Sequence, residues 1–115
     1  MELRRVVVVG SEVRNSEGGR TIVSSVELWN TMMIVRWTVV APDRLRHSVA
    51  NEGPRVWQCQ DDVGTAYQLI GGGGGGSERY WSGAAEFRPA PSDGARRLFL
   101  TPDCAPMRQI EVNLD

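Results

Sequence analysis

Residues 21–40 read TIVSSVELWNTMMIVRWTVV, and this stretch decides the fold class. Its apolar and polar side chains alternate with a period of two, which is typical of a β-strand with one buried face. The break at Asn30 and Thr31 is short, so we expect the two halves to pair as an antiparallel hairpin. One face is predicted to carry Ile22, Ser24, Val26 and Leu28 in the first strand, and Met33, Val35, Trp37 and Val39 in the second.

The rest of the chain continues this pattern between turns. No stretch has the apolar stripe of an amphipathic helix, and residues 41–54 have the composition of a loop. Eight short strands without intervening helices predict an all-β antiparallel sandwich or barrel. The four tryptophans favour a sandwich, because large side chains must fill the space of about 10 Å between two sheets. The other strands are predicted at residues 3–9, 55–60, 65–70, 77–88, 96–101 and 109–114.

The length of 115 residues fits a single domain, residues 1–115, because two separate cores would each be short of apolar volume. With 41% hydrophobic and 23% charged residues, the composition is that of a globular protein and not of a disordered chain. The formal net charge of -1 makes nucleic acid a poor partner, because no excess of positive charge is available for the phosphates. All thirteen basic residues are arginine, which we interpret as the mark of a GC-rich genome.

The N-terminal part of the chain contains four consecutive valines, residues 6–9. This apolar run is too short for the core of a signal peptide and far too short for a membrane span. We therefore expect a cytoplasmic protein that has no membrane partner.

Six consecutive glycines, residues 71–76, lie between two predicted strands. A domain linker at this point would leave only three strands after it, too few for an independent fold. A phosphate-binding loop requires a helix after the glycines, whereas the following residues SERYWSGAAEF alternate like a strand. The favoured interpretation is a flexible glycine loop within a hairpin, since lengthening such a loop costs only about 0.6 kcal/mol per doubling. We expect this loop to be mobile.

The adjacent carboxylates Asp61 and Asp62, followed by Gly64, are the best candidates for a ligand site. They are weak candidates for calcium, because the DxDxDG pattern with a later glutamate is missing. The structural interpretation is a turn in which one aspartate accepts backbone N–H groups and Gly64 takes a positive φ. No cofactor is predicted.

No catalytic residue is predicted. The single histidine, His47, lies in the charged loop, and no nucleophile or orienting partner can be assigned to it. Cys59 and Cys104 lack the CxxC spacing of zinc sites. Two interpretations of the cysteines stay open: free thiols in a cytosolic protein, or a bridge between strands that contributes about 4 kcal/mol by restricting the unfolded chain.

Aromatic and arginine side chains on the outward faces suggest a surface for a partner protein or a sugar. Trp29, Arg36 and Tyr80 fall on the outward faces of their strands and are the predicted members of this surface. In a sandwich of this size most aromatic side chains belong to the core, so the surface competes with a purely structural interpretation.

The stretch between Val56 and Leu100 combines a Trp-containing strand, DDVGTAY, the glycines, a Trp-Gly strand and FRPAPSDGARRLFL. It resembles the small immunoglobulin-like, telokin-like β-sandwich domains of uncharacterised bacterial, often actinobacterial, proteins. The resemblance implies an immunoglobulin-like sandwich of about seven to eight strands and a bacterial source. It implies no catalytic residues.

Our leading functional hypothesis is a non-catalytic interaction or structural module that binds a protein partner or a second copy of itself. The alternative is a ligand-binding domain that holds calcium or a carbohydrate at the loop end near Asp61 and Asp62. An enzyme of unfamiliar type ranks third, because a pocket with converging polar groups would be needed to support it.

Overall fold

The computed structural model describes residues 1–14, 18–40, 54–76, 80–103, 105 and 108–115. Every regular element in these residues is a β-strand, and there are eight of them. They are β1 (Leu3–Arg14), β2 (Arg20–Trp29), β3 (Met33–Val40), β4 (Trp57–Asp61), β5 (Gln68–Gly76), β6 (Tyr80–Arg88), β7 (Arg97–Pro102) and β8 (Ile110–Asn113). Within the described part of the chain, no helix has the length and apolar character needed to span a bilayer.

The strands form two antiparallel sheets. The larger sheet has the order β1-β2-β3-β6-β5, and the smaller one has the order β4-β7-β8. The predicted all-β antiparallel sandwich is therefore confirmed, as is the hairpin between β2 and β3. In the larger sheet, β1 and β5 are the two edge strands.

The core lies between the two sheets, where alternate residues of each strand point inward. In β3 the inward residues Met33, Val35 and Val39 are fully buried, and Trp37 is nearly so. Leu98 and Leu100 of β7 face them from the smaller sheet and are equally inaccessible. This alternation follows from the period of two along a strand, which the sequence of β3 displays from Val35 to Val39. Ile34, on the opposite face of β3, is also buried.

In β2 the inward face differs from the prediction. Thr21 and Val23 point into the core, whereas the sequence pattern placed Val23 on the opposite face from Val26. The register between β2 and β3 shifts between Val23 and Ser25, so Ser24 is an extra residue in the strand. Such a β-bulge reverses the alternation at one point, and both valines thereby become fully buried.

The glycine tract also differs from the prediction. Instead of forming the loop of a hairpin, residues 71–76 belong to β5 and pair with residues 81–86 of β6. The mobility of the tract remains a prediction. Glycine can extend a strand because its backbone also adopts extended conformations, although it brings no side chain to stabilise the strand.

Alternate glycines of the tract have different surroundings. A Cβ atom on Gly74 would lie 2.8 Å from Cη2 of Trp37 and 2.7 Å from the carbonyl oxygen of Ser82. A Cβ atom on Gly73 would meet nothing within 4 Å. The indole of Trp37 reaches across the neighbouring strands, and a Cβ atom on Gly83 of β6 would lie 2.6 Å from its Cζ2. Gly83 and Gly74 therefore leave the space that this indole occupies.

We expect Gly74→Ala to destabilise the fold by about 1–3 kcal/mol, because the added methyl group collides with a buried ring and with the backbone of β6. Gly73→Ala adds the same atom to the adjacent residue without a collision, so its effect on the free energy of unfolding should be within about 1 kcal/mol. Urea unfolding of both variants tests this difference. Equal stabilities would show that the Trp37 ring does not constrain the tract.

Candidate functional site

Asp61 organises the turn that follows β4. Its Oδ1 accepts the backbone N–H groups of Val63 and Thr65, both at 3.0 Å, and its Oδ2 accepts the hydroxyl of Tyr67 at 2.7 Å. Gly64 has φ +79°, a conformation that glycine adopts without strain. The structural interpretation of this aspartate and glycine is therefore confirmed. The same turn explains why β5 begins at Gln68 and not at residue 65.

Asp62 points to a different part of the molecule. Its Oδ1 accepts the backbone N–H groups of Arg96 at 3.0 Å and of Arg97 at 3.4 Å. The two adjacent carboxylates therefore hold separate segments: Asp61 closes its own turn, and Asp62 connects that turn to the start of β7. A calcium ion at this pair would compete with these hydrogen bonds for the same oxygens. Among the described residues, no group of three or more His, Cys, Asp or Glu side chains is placed to hold a metal.

The hydrogen bonds shift the ionisation of this turn. Burial alone would raise the pKa of Asp61, but the hydrogen bonds from Thr65, Tyr67 and Val63 outweigh it and hold the pKa below the ordinary 3.8. Burial and the hydrogen bond to Asp61 raise the pKa of Tyr67 well above its usual range. Burial, followed by the nearby charge of Asp61, raises the pKa of Cys59 to about 12. All three groups therefore keep their ordinary charge states at neutral pH.

The stability of the fold should decrease in acid partly because of Asp61. A carboxyl whose folded-state pKa is lowered stabilises the fold above its unfolded pKa, and this contribution disappears as the pH falls through the folded pKa. Asp61→Asn replaces the charged acceptor of Tyr67 and should cost about 1–2 kcal/mol at pH 7. The difference between this variant and the wild type should shrink as the pH falls through the folded-state pKa of Asp61, which lies below 3.8.

Urea unfolding between pH 7 and pH 2 measures this difference. Asp93→Asn is the matched control, because Asp93 is an exposed aspartate in another turn. A constant gap between Asp61→Asn and the wild type at every pH would show that the charge of Asp61 is not what stabilises the turn.

The three residues of the predicted interaction surface lie on the outer face of the larger sheet. Glu27 connects two of them. Its Oε1 accepts a hydrogen bond from the indole N–H of Trp29 at 3.2 Å, and its Oε2 accepts one from the Nε–H of Arg36 at 2.8 Å. Tyr80 is half exposed and lines the same shallow depression as Arg36, together with the small residues of the neighbouring strands. The structure thus brings these side chains onto one surface, and their role in binding remains a prediction.

A cleft of about 360 Å³ lies between the edge strands β4 and β5, and the sequence did not predict it. Three tryptophans line it, namely Trp37, Trp57 and Trp81, together with the backbone of residues 71–74. The cleft exists because the glycine strand contributes no side chains to the space between the sheets. Nε1 of Trp57 is buried and has no hydrogen-bond partner among the described residues. The tryptophans and glycines that form the cleft are visible in the sequence. They predict a cleft only if the glycine tract is recognised as a strand.

The edge strand β1 carries a second feature that the sequence pattern did not predict. Val6 is 48% exposed and Val8 is 84% exposed, whereas Val7 and Val9 pack against the core. Because successive side chains of a strand point to opposite faces, the four-valine run has two inward and two outward valines. The outward pair is exposed because no other layer covers this face of β1 in the described part of the chain. Proteins usually protect a free strand edge, because an exposed apolar edge strand pairs with other chains.

Comparisons of the chain with protein-family models, with curated proteins and with solved structures found no match. Two residues that the sequence singles out, His47 and Cys104, lie outside the described residues and have no place in this geometry. Cys59 is a free thiol, in agreement with the first of the two interpretations of the cysteines.

Proposed function

We propose that the protein is a non-catalytic β-sandwich interaction module that associates with a second copy of itself through the edge strand β1. The observation that supports this proposal is the exposure of Val6 and Val8 on the longest strand of the fold. A free strand edge offers backbone N–H and C=O groups to another chain, and apolar side chains beside it gain from being covered.

The two edges of the larger sheet differ in what they offer a partner. Strand β5 ends in six glycines, which contribute no side chains to an interface and lose more conformational freedom than other residues when they are ordered. Strand β1 has twelve residues, with β-branched side chains at its centre. Affinity and specificity in strand addition come from backbone hydrogen bonds and alternate side chains together, so β1 is the better interface.

We also propose that the sandwich is immunoglobulin-like in architecture. The two packed antiparallel sheets and the resemblance of residues 56–100 support this part of the proposal. The order of strands differs from that of immunoglobulin constant domains, since β1, β2 and β3 are consecutive neighbours in one sheet. Many domains share the sandwich architecture without the same topology. An actinobacterial source, supported by the arginine-only basic residues, and a cytoplasmic location are parts of the same proposal.

We expect Val8→Lys to abolish self-association, because a lysine on a strand edge carries a charge into the contact. The substitution should leave the fold intact, since Val8 is 84% exposed. Val63→Lys introduces the same charge at a residue that is 51% exposed in the turn after β4, and it should associate like the wild type. Light scattering over a range of protein concentrations measures the effect. A wild-type protein that is monomeric at all concentrations would refute the proposal.

A second candidate function is the binding of a carbohydrate ring, and the tryptophan cleft favours it. Indole faces stack on the apolar faces of sugars, and the buried N–H of Trp57, which has no hydrogen-bond partner among the described residues, would gain one from a hydroxyl that reaches it. The volume of about 360 Å³ is at the small end for ligand sites and suits one ring. This cleft is at the Trp57 end of β4, about 13 Å along the strand from Asp61, so it replaces the loop end as the place where a sugar is expected.

Tryptophan fluorescence during titration with a panel of monosaccharides tests the second candidate. A binding sugar should change the emission saturably, and Trp57→Phe should weaken the affinity at least tenfold because it removes the N–H donor. Trp29→Phe is the matched control, since Trp29 lies on the outer face of the other sheet and should leave binding unchanged. The absence of a saturable change with every sugar would exclude this function for the cleft.

A further inference from the structure

The side chains that line the tryptophan cleft are one-sided in their hydrogen-bonding chemistry. Those that carry a polar group are Trp37, Trp57, Trp81 and Arg55. An indole offers one N–H donor and a guanidinium offers five, and neither group accepts a hydrogen bond. The other described residues that line the cleft are proline, leucine, alanine and glycine, whose side chains have no acceptor either. A ligand in this cleft therefore meets only donors among the side chains.

Arg55 lies on the cleft side of the segment that leads into β4. Arg55 and Trp57 both line the cleft, whereas Val56 and Gln58 line a separate depression. This alternation is that of an extended chain. Two extended residues span at most about 7 Å, so a ring that enters the cleft beside Trp57 comes close to Arg55.

The carboxylates of Asp103 and Glu86 belong to other faces of the two sheets. Asp103 lines the separate depression, where its Oδ1 accepts the backbone N–H of Arg55 at 3.1 Å. Oε2 of Glu86 would lie 2.9 Å from a Cβ atom on Gly71, but Glu86 points outward, because the next residue, Phe87, is buried in the core. Among the described residues, Arg55 is therefore the only one that places a charge in the lining of the cleft.

We propose that the cleft binds a sugar acid, a monosaccharide ring that bears a carboxylate, in preference to a neutral sugar. The inference rests on the proposed carbohydrate function and specifies the class of sugar. The apolar face of the ring lies against the indoles, and the carboxylate accepts hydrogen bonds from the guanidinium of Arg55. An ionised carboxylate only accepts, so it is complementary to side chains that only donate. The planar fork of an arginine can bind both of its oxygens.

The exposure of the lining residues sets the orientation of the ligand. Arg55 is exposed, whereas Trp57 is 3% exposed and its Nε1 is buried. Removing a carboxylate from water costs free energy unless it is paired, so the charge stays at the mouth of the cleft, where Arg55 and solvent both reach it. The ring hydroxyls point inward. There they can accept from the N–H of Trp57 and donate to backbone carbonyl groups on the free edge of β5.

Matched pairs of sugars test this preference. D-glucuronate and D-glucose differ only in a carboxylate that replaces the terminal CH₂OH group, as do D-galacturonate and D-galactose. In low-salt buffer each acid should bind about three- to tenfold more tightly than its neutral partner, because hydrogen bonds to charged groups are the stronger ones. The preference should shrink in high salt, which screens the exposed charge of Arg55. Titrations that follow tryptophan fluorescence give the dissociation constants.

Variants of Arg55 assign the preference to one residue. Arg55→Gln keeps the backbone N–H that Asp103 accepts and all four tryptophans, so the fluorescence probe is unchanged. It should bind the acids about three- to tenfold more weakly than the wild type and lose the preference over the neutral sugars. Arg55→Lys keeps the charge without the fork and should retain a smaller preference. Urea unfolding of both variants checks that the fold is retained.

Arg97→Gln is the matched control. It removes the same charge from an exposed arginine of β7, which pairs with Glu111 at 3.5 Å between Nη1 and Oε1 and does not line the cleft. This variant should keep the full preference for the acids. Benzoate and benzyl alcohol form a further pair of ligands, which distinguishes a sugar acid from an aromatic acid.

The outcomes distinguish the class of sugar from the proposed carbohydrate function. Equal affinities for the acids and the neutral sugars, or a preference that Arg55→Gln keeps in full, overturn the inference and leave carbohydrate binding standing. A loss of preference in Arg97→Gln as large as that in Arg55→Gln has the same meaning. Tighter binding of benzoate than of either sugar acid identifies an aromatic acid as the ligand and overturns the sugar class. The absence of a saturable change with every sugar overturns both proposals.

Discussion

The fit of the Trp37 indole over Gly83 and Gly74 is the constraint on which the larger sheet depends. Trp37 is opposite Gly83 in the ladder between β3 and β6, and Gly83 is opposite Gly74 in the ladder between β6 and β5. One ring therefore covers two neighbouring strands that have no side chain at that level. A methyl group on either glycine would occupy the volume of the ring, and close-packed interiors do not accommodate such an addition without strain.

This arrangement explains how a strand of six glycines can be part of a folded sheet. Glycine weakens a strand because it brings no packing and loses much conformational freedom. The ring of Trp37 supplies apolar contact that β5 cannot supply itself, and the backbone pairing with β6 supplies the hydrogen bonds. The same lack of side chains leaves the cleft between β4 and β5, so the cleft and the dependence of this edge on the Trp37 ring have one physical cause.

The two aspartates that the sequence suggests as a ligand site, Asp61 and Asp62, stabilise local structure in the fold. Asp61 and Asp62 hold a turn and connect it to β7 through backbone N–H groups. The features on which the proposed functions rest are apolar and lie at the edges of the sheets: the valines of β1 at one edge and the tryptophan cleft at the other. A search for motifs overlooks such features, because exposure and adjacency are properties of the assembled sheets and not of a short run of residues.

The sequence by itself determined the fold class, the approximate places of seven of the eight strands, the β2–β3 hairpin and the turn at residues 61–64. These depend on local alternation and on turn chemistry, which act over a few residues and can be recognised in one segment at a time. Only the tertiary structure decided the bulge at Ser24, the pairing of the glycines and the placement of β1 at an edge. The glycines adopt either a loop or a strand with little local preference, and the Trp37 ring and the neighbouring strand β6, brought there by the fold, select the strand.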